Sequence, residues 1–203
     1  MENTVELSLL GTHVMLFGAE MLDGLRVARY LILGRWQLWQ YYTNVTWRTC
    51  EKCLAWHGRI AARPDAFPEP RDGCERKLLP FPARKLPFYR EKARLMRERA
   101  QAELERRRLF QEAVRLLSQD PDRALSLFDR AGAIDVYIPE LERLVEEHRE
   151  TLSGSPELRQ RLREVFLRRW GEKFAKPRYE RLPERLRQAQ ERWGLARIKE
   201  LFP

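Results

Sequence analysis

The pattern of apolar and polar positions changes character along the chain, near residue 83. Beyond this point apolar residues recur every three or four positions, the spacing of a helix with one buried face. The first such pattern starts beside Pro87 and predicts one helix of about thirty residues, with Pro87 in its first turn. Its apolar positions are Tyr89, Ala93, Met96, Ala100, Leu104, Leu109, Ala113 and Leu117.

Shorter helices are predicted after the long one. Asp120 and Ser155 each precede a proline, and this pair is typical of a capping residue followed by the first helical position. In the tail, Gly194 interrupts an apolar pattern and is expected to break it into a pair of helices. The pattern therefore predicts an all-helical domain over residues 83–203.

The N-terminal stretch is apolar and has helical spacing up to Gly34, where the helix is expected to end. Three polar residues, Glu6, His13 and Glu20, interrupt it, so the uninterrupted apolar run is shorter than the roughly 18 to 20 residues of a membrane-spanning helix. No basic start of the signal-peptide type is present either. We therefore expect no membrane association. The aromatic and β-branched residues of 36–47 then predict a strand or hairpin.

All three cysteines follow this predicted strand. Cys50 and Cys53 have two residues between them, His57 comes after three more, and Cys74 follows sixteen residues later. Two thiolates on a tight turn can share one zinc ion at about 2.3 Å, with the other ligands returning later in the chain. These four residues are therefore candidate zinc ligands. The alternative is three incidental cysteines, with His57 a surface residue before the turn at Gly58.

A disulfide framework is less favoured than either interpretation, because three thiols cannot all pair within one chain. The sequence thus predicts a mainly helical α+β protein with two domains. Residues 1–82 form a helix followed by a small β-hairpin and zinc knuckle. Residues 83–203 form a helical domain that the long helix leads.

The cysteine region resembles the cysteine motif of the phage head-morphogenesis (minor capsid protein) family. In that family a long helix leads into a strand with a threonine-arginine-CxxC block, and the return leg carries two cysteines around an arginine. Cys50, Cys53 and Cys74 match the first three cysteines, and Gly58 matches the turn glycine. Arg76 stands where the last cysteine would fall, which leaves the histidine as the obvious fourth ligand.

This resemblance covers roughly residues 20–82. It implies a non-enzymatic structural or assembly protein, phage-encoded or prophage-derived, that associates with a portal, a capsid shell or packaged DNA. A cytoplasmic or virion location would follow. The apolar helix faces also predict self-association or a protein partner. The sequence contains no Gly-rich phosphate loop, GxSxG or HExxH motif, so we expect no enzymatic activity.

Charge adds a second functional hypothesis. The chain of 203 residues carries 39 Lys+Arg against 30 Asp+Glu, a formal net charge of +9. Basic helices can bind nucleic acid through its phosphates, so the alternative function is a zinc-containing nucleic-acid-binding protein. Many of these arginines stand three or four residues from a glutamate, however, and surface ion pairing would explain the same pattern. The candidate contacts are Arg106, Arg107, Arg108, Arg168, Arg169 and Lys173.

Overall fold

The computed structural model describes residues 37–70, 74–180 and 182–203. In chain order the elements are β1 (Gln37–Thr43), α1 (Glu51–Trp56), β2 (Ile60–Ala61), β3 (Arg76–Pro82), α2 (Leu86–Leu116), α3 (Pro121–Ile134), α4 (Ile138–Glu147), α5 (Arg149–Gly154), α6 (Pro156–Phe174), α7 (Pro177–Glu180) and α8 (Glu184–Leu201). The prediction of a mainly helical α+β protein is confirmed. The predicted helix that ends at Gly34 lies outside the described residues.

The chain forms two compact units, Met1–Gln101 and Ala102–Pro203. Their boundary falls within the sequence of α2, whereas the predicted division after residue 82 marks the end of β3. Each unit has a buried apolar cluster of its own. None of the helices in the described ranges combines the length and apolar character of a membrane-spanning segment.

The first unit contains a three-stranded antiparallel sheet with the order β2-β1-β3. The central strand β1 pairs with β3 along its whole length, from Gln37 opposite Pro82 to Thr43 opposite Arg76. Successive side chains of a strand point to opposite faces. One face places Leu38 in a small apolar cluster, against which the half-buried Tyr89 packs. The other buried members of this cluster are Phe81, Ala83 and Leu86.

The predicted long helix is present as α2, which has 31 residues and contains Pro87 as its second residue. A proline fits there because its missing N–H would have no partner within the helix. Most of the predicted apolar face is buried, but Tyr89 and Leu104 are only half-buried. Two charged residues, Glu103 and Arg106, are buried in the same part of the helix.

The second unit confirms both predicted helix starts. The Asp120 side chain accepts a hydrogen bond from the Arg123 backbone N–H, and Ser155 does the same for Leu158. These bonds satisfy backbone donors that a helix start would otherwise leave free.

The predicted helix break at Gly194 is wrong, because α8 continues through this residue. A Cβ atom at Gly194 would lie only 2.1 Å from carbon atoms of the Trp170 indole ring. The indole also donates a hydrogen bond to the carbonyl of Glu191 (3.0 Å). Gly194 therefore allows α8 to pack closely against this tryptophan, and its role in the helix is close packing instead of termination.

Candidate metal centre

The three cysteines of the chain form one cluster in the first unit. The Sγ atoms of Cys50, Cys53 and Cys74 all lie within 4.8 Å of one another. Sulfurs bound to one tetrahedral ion at about 2.3 Å would be about 3.8 Å apart. The thiols are therefore placed so that small side-chain adjustments could bring all three to a single metal ion.

Strand pairing brings the two cysteine-bearing segments together. The last pair of the β1–β3 register joins Thr43 to Arg76, so the chain before Arg76 lies beside the chain after Thr43. The Thr43 hydroxyl donates to the carbonyl of Glu75 (2.7 Å), and the side-chain amide of Asn44 donates to the Glu75 carboxylate (2.9 Å). These bonds hold Cys74 close to the turn that leads to Cys50.

Helix α1 sets the geometry of the CxxC pair. Cys50 is the N-cap of this helix, and its Sγ accepts a hydrogen bond from the backbone N–H of Cys53 (3.3 Å). The backbone N–H of Cys50 in turn donates to Sγ of Cys74 (3.5 Å). Backbone N–H groups that point at sulfur stabilise the negative charge of a thiolate, which is the form that binds metal. Two of the three sulfurs have such a donor.

Burial makes the cluster sensitive to charge. Cys53 is buried, whereas Cys50 and Cys74 are half-buried. Burial is the main reason why the pKa of Cys53 is raised, and the neighbouring thiols Cys50 and Cys74 raise it further. Three close thiolates therefore repel one another. A divalent cation between them would reverse this effect, because its charge favours the deprotonated form of each ligand.

The fourth predicted ligand, His57, lies outside this cluster. Its ring is buried, and Nδ1 accepts a hydrogen bond from the backbone N–H of Thr43 (3.2 Å). Burial, with a smaller contribution from the charge of Arg99, lowers the pKa of His57 to about 4. The neutral imidazole thus ties the connection after α1 to β1. The spacing of His57 from the cysteines gives no sign that the backbone N–H of Thr43 donates to its Nδ1 atom.

Arg76, at the position of the family's last cysteine, holds the Pro-rich loop between β2 and β3. Its guanidinium donates to the carbonyl of Pro68 (2.9 Å) and pairs with Glu69 (3.0 Å). Within the described ranges, no histidine, aspartate or glutamate joins the three thiols as a fourth ligand. Residues 71–73, which precede Cys74, lie outside those ranges.

Two of the six candidate nucleic-acid contacts are buried in the helical unit. Arg106 is only 1% exposed and donates to Glu103 (2.8 and 2.9 Å) and to Glu140 (2.7 Å). Its guanidinium also lies 4.7 Å from the centre of the Tyr137 ring. Lys173 is buried as well, and its ammonium donates to a backbone carbonyl and lies within 6 Å of three aromatic rings. A phosphate backbone outside the protein cannot reach either side chain in this conformation.

The other four candidates are paired with carboxylates. Arg108 is 70% exposed and pairs with Glu105, while Arg168 is 56% exposed and pairs with Asp129. The less exposed Arg107 and Arg169 also contact acidic side chains. The arrangement matches the surface ion pairing that the sequence offered as the alternative explanation of these charges.

One of the aromatic residues in the predicted strand of residues 36–47 is buried in the first unit. Tyr41 of β1 is fully buried. The sequence predicts its strand, and the folded sheet gives its burial.

Comparison with known proteins adds no family assignment. No protein-family model, curated protein or solved structure matches the chain. The likeness to the head-morphogenesis family therefore stays a prediction from the cysteine motif.

Proposed function

We propose that Cys50, Cys53 and Cys74 bind a structural zinc ion that holds the sheet module of residues 37–82 together. We further propose that the protein is a non-enzymatic structural or assembly protein. The observation that carries the first proposal is the approach of three thiols to within 4.8 Å from segments on either side of β2.

The donor set supports zinc. Thiolate ligands select zinc, copper(I) and iron–sulfur clusters over magnesium or calcium, and a CxxC pair with a later cysteine is a common structural zinc arrangement. Three thiolates carry more negative charge than the zinc ion carries positive charge. This excess opposes the formation of a bound hydroxide, so the set favours a structural role over a hydrolytic one.

The assembly role is supported by the resemblance of residues 20–82 to minor capsid proteins. A metal-bound sheet would provide a rigid module for such a partner, because a bound structural metal stabilises the folded state directly. The partners implied are a portal or a capsid shell.

Elemental analysis of reduced, untagged protein tests the metal centre. We expect about one zinc per chain, and we expect Cys53→Ser and Cys74→Ser to lose it. Ala55→Ser is the matched control, because it adds a hydroxyl at an exposed position of the same helix and should keep the metal. A reduced wild-type protein that neither contains zinc nor takes it up when added would contradict the proposal.

The assembly role needs a separate test. If genes for portal, terminase and capsid proteins stand beside this gene, their products should co-purify with the wild-type chain. Cys53→Ser should weaken this association if the module forms the contact. The basis for this role would be removed if no such genes stand beside this gene. It would also be removed if none of their protein products co-purifies with the chain.

A further inference from the structure

A surface cavity of about 360 Å³ lies in the helical unit, along one face of α6. Its lining includes Pro156, Arg159, Arg163 and Leu167, which follow one another at intervals of three or four residues and therefore share one side of the helix. The volume falls within the range of about 300–1,000 Å³ that is typical of small-molecule sites in proteins. The cavity is separate from the cysteine cluster, which belongs to the other unit.

The two arginines of this cavity differ from the other arginines of α6, because they have no acidic partner. Neither Arg159 nor Arg163 forms an ion pair or a side-chain hydrogen bond with any residue in the described ranges. The other three arginines of the helix each pair with an aspartate, Arg161 with Asp122, and Arg168 and Arg169 with Asp129. The cavity is therefore lined by two positive charges that surface ion pairing does not explain.

Packing holds the Arg159 side chain in place. The residue is half-buried, and its Nε is enclosed without a hydrogen-bond partner in the part of the chain that the structure describes. The terminal amino groups are unpaired there as well, but they are not enclosed in the same way, so a ligand can contact them. An N–H donor on a charged group costs free energy when it is removed from water and left unpaired. An acceptor in the cavity would offset part of this cost.

A phosphate group matches what the two arginines offer. A guanidinium has five N–H donors and no acceptor, so its partner must supply acceptor oxygens. Phosphate and carboxylate both fit the fork of N–H donors, and phosphate has enough oxygens to accept from two guanidiniums at once. Residues four apart on a helix have Cβ atoms about 5–6 Å apart, so Arg159 and Arg163 can both reach one such group.

The lining also contains one carboxylate, that of Glu164. It accepts a hydrogen bond from the side-chain amide of Gln160 (3.1 Å) and forms no ion pair with either arginine of the cavity. Its negative charge opposes the binding of an anion. Removal of this charge should therefore have the opposite effect to removal of an arginine.

We propose that this cavity binds a phosphate group through Arg159 and Arg163. The phosphate comes either from free inorganic phosphate or from a small phosphate monoester, for which Pro156 and Leu167 provide apolar surface. The site is independent of the zinc centre and of the assembly role proposed above, because no residue of the sheet module takes part in it.

Nuclear magnetic resonance titration of the isotopically labelled, full-length protein at physiological ionic strength tests the proposal. The probes are inorganic phosphate, phenyl phosphate and benzoate. We expect both phosphates to shift the Arg159 Nε–H resonance in a saturable way, and benzoate to bind at least about tenfold more weakly than phenyl phosphate. Tighter binding of phenyl phosphate than of inorganic phosphate would assign the site to a monoester. Equal or tighter binding of inorganic phosphate would assign it to the free anion.

Charge variants show whether the two arginines bind the probe. Arg159→Gln and Arg163→Gln should each weaken phosphate binding at least about tenfold, because each removes charge-assisted hydrogen bonds. Glu164→Gln should strengthen it. Arg161→Gln is the matched control, because it removes the same charge from the same helix, whereas its guanidinium pairs with Asp122 and is not part of the lining. Phosphate affinity in this control should stay within about twofold of the wild type.

Several results would overturn the proposal. These are the absence of a saturable shift with either phosphate, benzoate binding as tight as that of phenyl phosphate, and an equal loss of affinity in Arg161→Gln, which would indicate a general attraction between charges. Binding of a single-stranded oligonucleotide without binding of either small phosphate would assign the arginines to a nucleic-acid surface instead. If Arg159→Gln does not fold by circular dichroism, Arg163→Gln and Glu164→Gln still decide the question through their opposite expected effects.

Discussion

The helical unit and the sheet module differ in the amount of apolar surface that holds each together. In the helical unit, aromatic side chains from four elements or their ends are in contact, with ring centres 5.1 to 5.6 Å apart. They belong to a cluster of buried apolar residues drawn from most of its helices. Phe110 contacts Phe128, Phe128 contacts Phe166, and Phe166 contacts Phe202.

The apolar cluster of the sheet module is much smaller than that of the helical unit. The apolar cluster on one face of its sheet has four buried members within the residues that the structure describes, of which the strands contribute Leu38 and Phe81 and the segment after β3 contributes Ala83 and Leu86. The other buried residues of the module include Tyr41, Leu54 and Phe67 together with the polar or ionisable Cys53 and His57. Small folds with little apolar core typically need a metal or a disulfide for stability. We therefore expect loss of a bound metal to destabilise the sheet module and to leave the helical unit folded.

Removal of the proposed zinc ion should have the largest effect. We expect chelation to expose the backbone of residues 37–82 to hydrogen exchange, while the helices beyond residue 102 keep their protection, since their apolar core does not depend on the thiols. Exchange measured by mass spectrometry with peptide resolution would test this. Cys53→Ser should already show the exposed pattern and should not change further on chelation. Equal protection of the module from hydrogen exchange with and without chelator would contradict the expected difference between the two units.

Within the helical unit, the largest effect should come from Arg106→Met. This change leaves the buried carboxylates of Glu103 and Glu140 without their shared cation, and breaking a buried ion pair in this way typically costs about 3–5 kcal/mol. Urea unfolding followed by helical circular dichroism measures it. Arg108→Met is the control, because that side chain is 70% exposed and its surface pair contributes at most about 1 kcal/mol. Similar unfolding midpoints for the two variants would contradict a structural role for the buried network.

Gly58→Ala should destabilise the sheet module by about 2–4 kcal/mol. Gly58 has a φ of +83°, and a Cβ there would lie 2.7 Å from the carbonyl oxygen of Ala93 and 2.9 Å from Cβ of Met96. Both the backbone conformation and the space require glycine. Gly171→Ala is the contrasting variant, since a Cβ at Gly171 meets nothing within 4 Å and alanine favours a helix. Thermal unfolding should shift down for the first variant and not for the second.

The last prediction concerns pH. The folded protein holds the pKa of His57 near 4, below its ordinary value of 6.5. Between these values the unfolded chain binds more protons, so stability is complete above about pH 6.5 and falls as the pH drops toward 4. A shift of this size corresponds to a loss on the order of 3 kcal/mol. In metal-free protein, His57→Gln should unfold with a smaller dependence on pH in this window than the wild type, and equal slopes would contradict the assignment.

Local signals in the sequence predicted those features that depend on neighbouring residues alone. The caps at Asp120 and Ser155, the long helix behind Pro87 and the CxxC pair are of this kind. The sequence predicts Cys74 only as a candidate ligand, and in the structure the pairing of Thr43 with Arg76 brings it to the other two cysteines.

Contacts between distant residues explain the rest. A spacing of four residues, as between Glu103 and Arg107, is typical of surface pairs and predicts a solvated face. The sequence did not show that Glu140 supplies a second carboxylate to Arg106 from 34 residues away. In the same way, the sequence predicts a helix break at Gly194, whereas the indole of Trp170, which requires a small residue there, comes from another helix.

The separation between Cys50 and Cys74 has a consequence for changes in chain length. A metal shared by these residues would close a loop of 24 residues when the chain folds, and closing a flexible loop costs entropy. This contribution changes slowly with loop length, since doubling the loop adds only about 0.6 kcal/mol. Insertions into the segment between β2 and β3 should therefore be thermodynamically mild if Arg76 keeps its bond to Pro68. This segment is the place where the module can gain new contact surface without losing its fold.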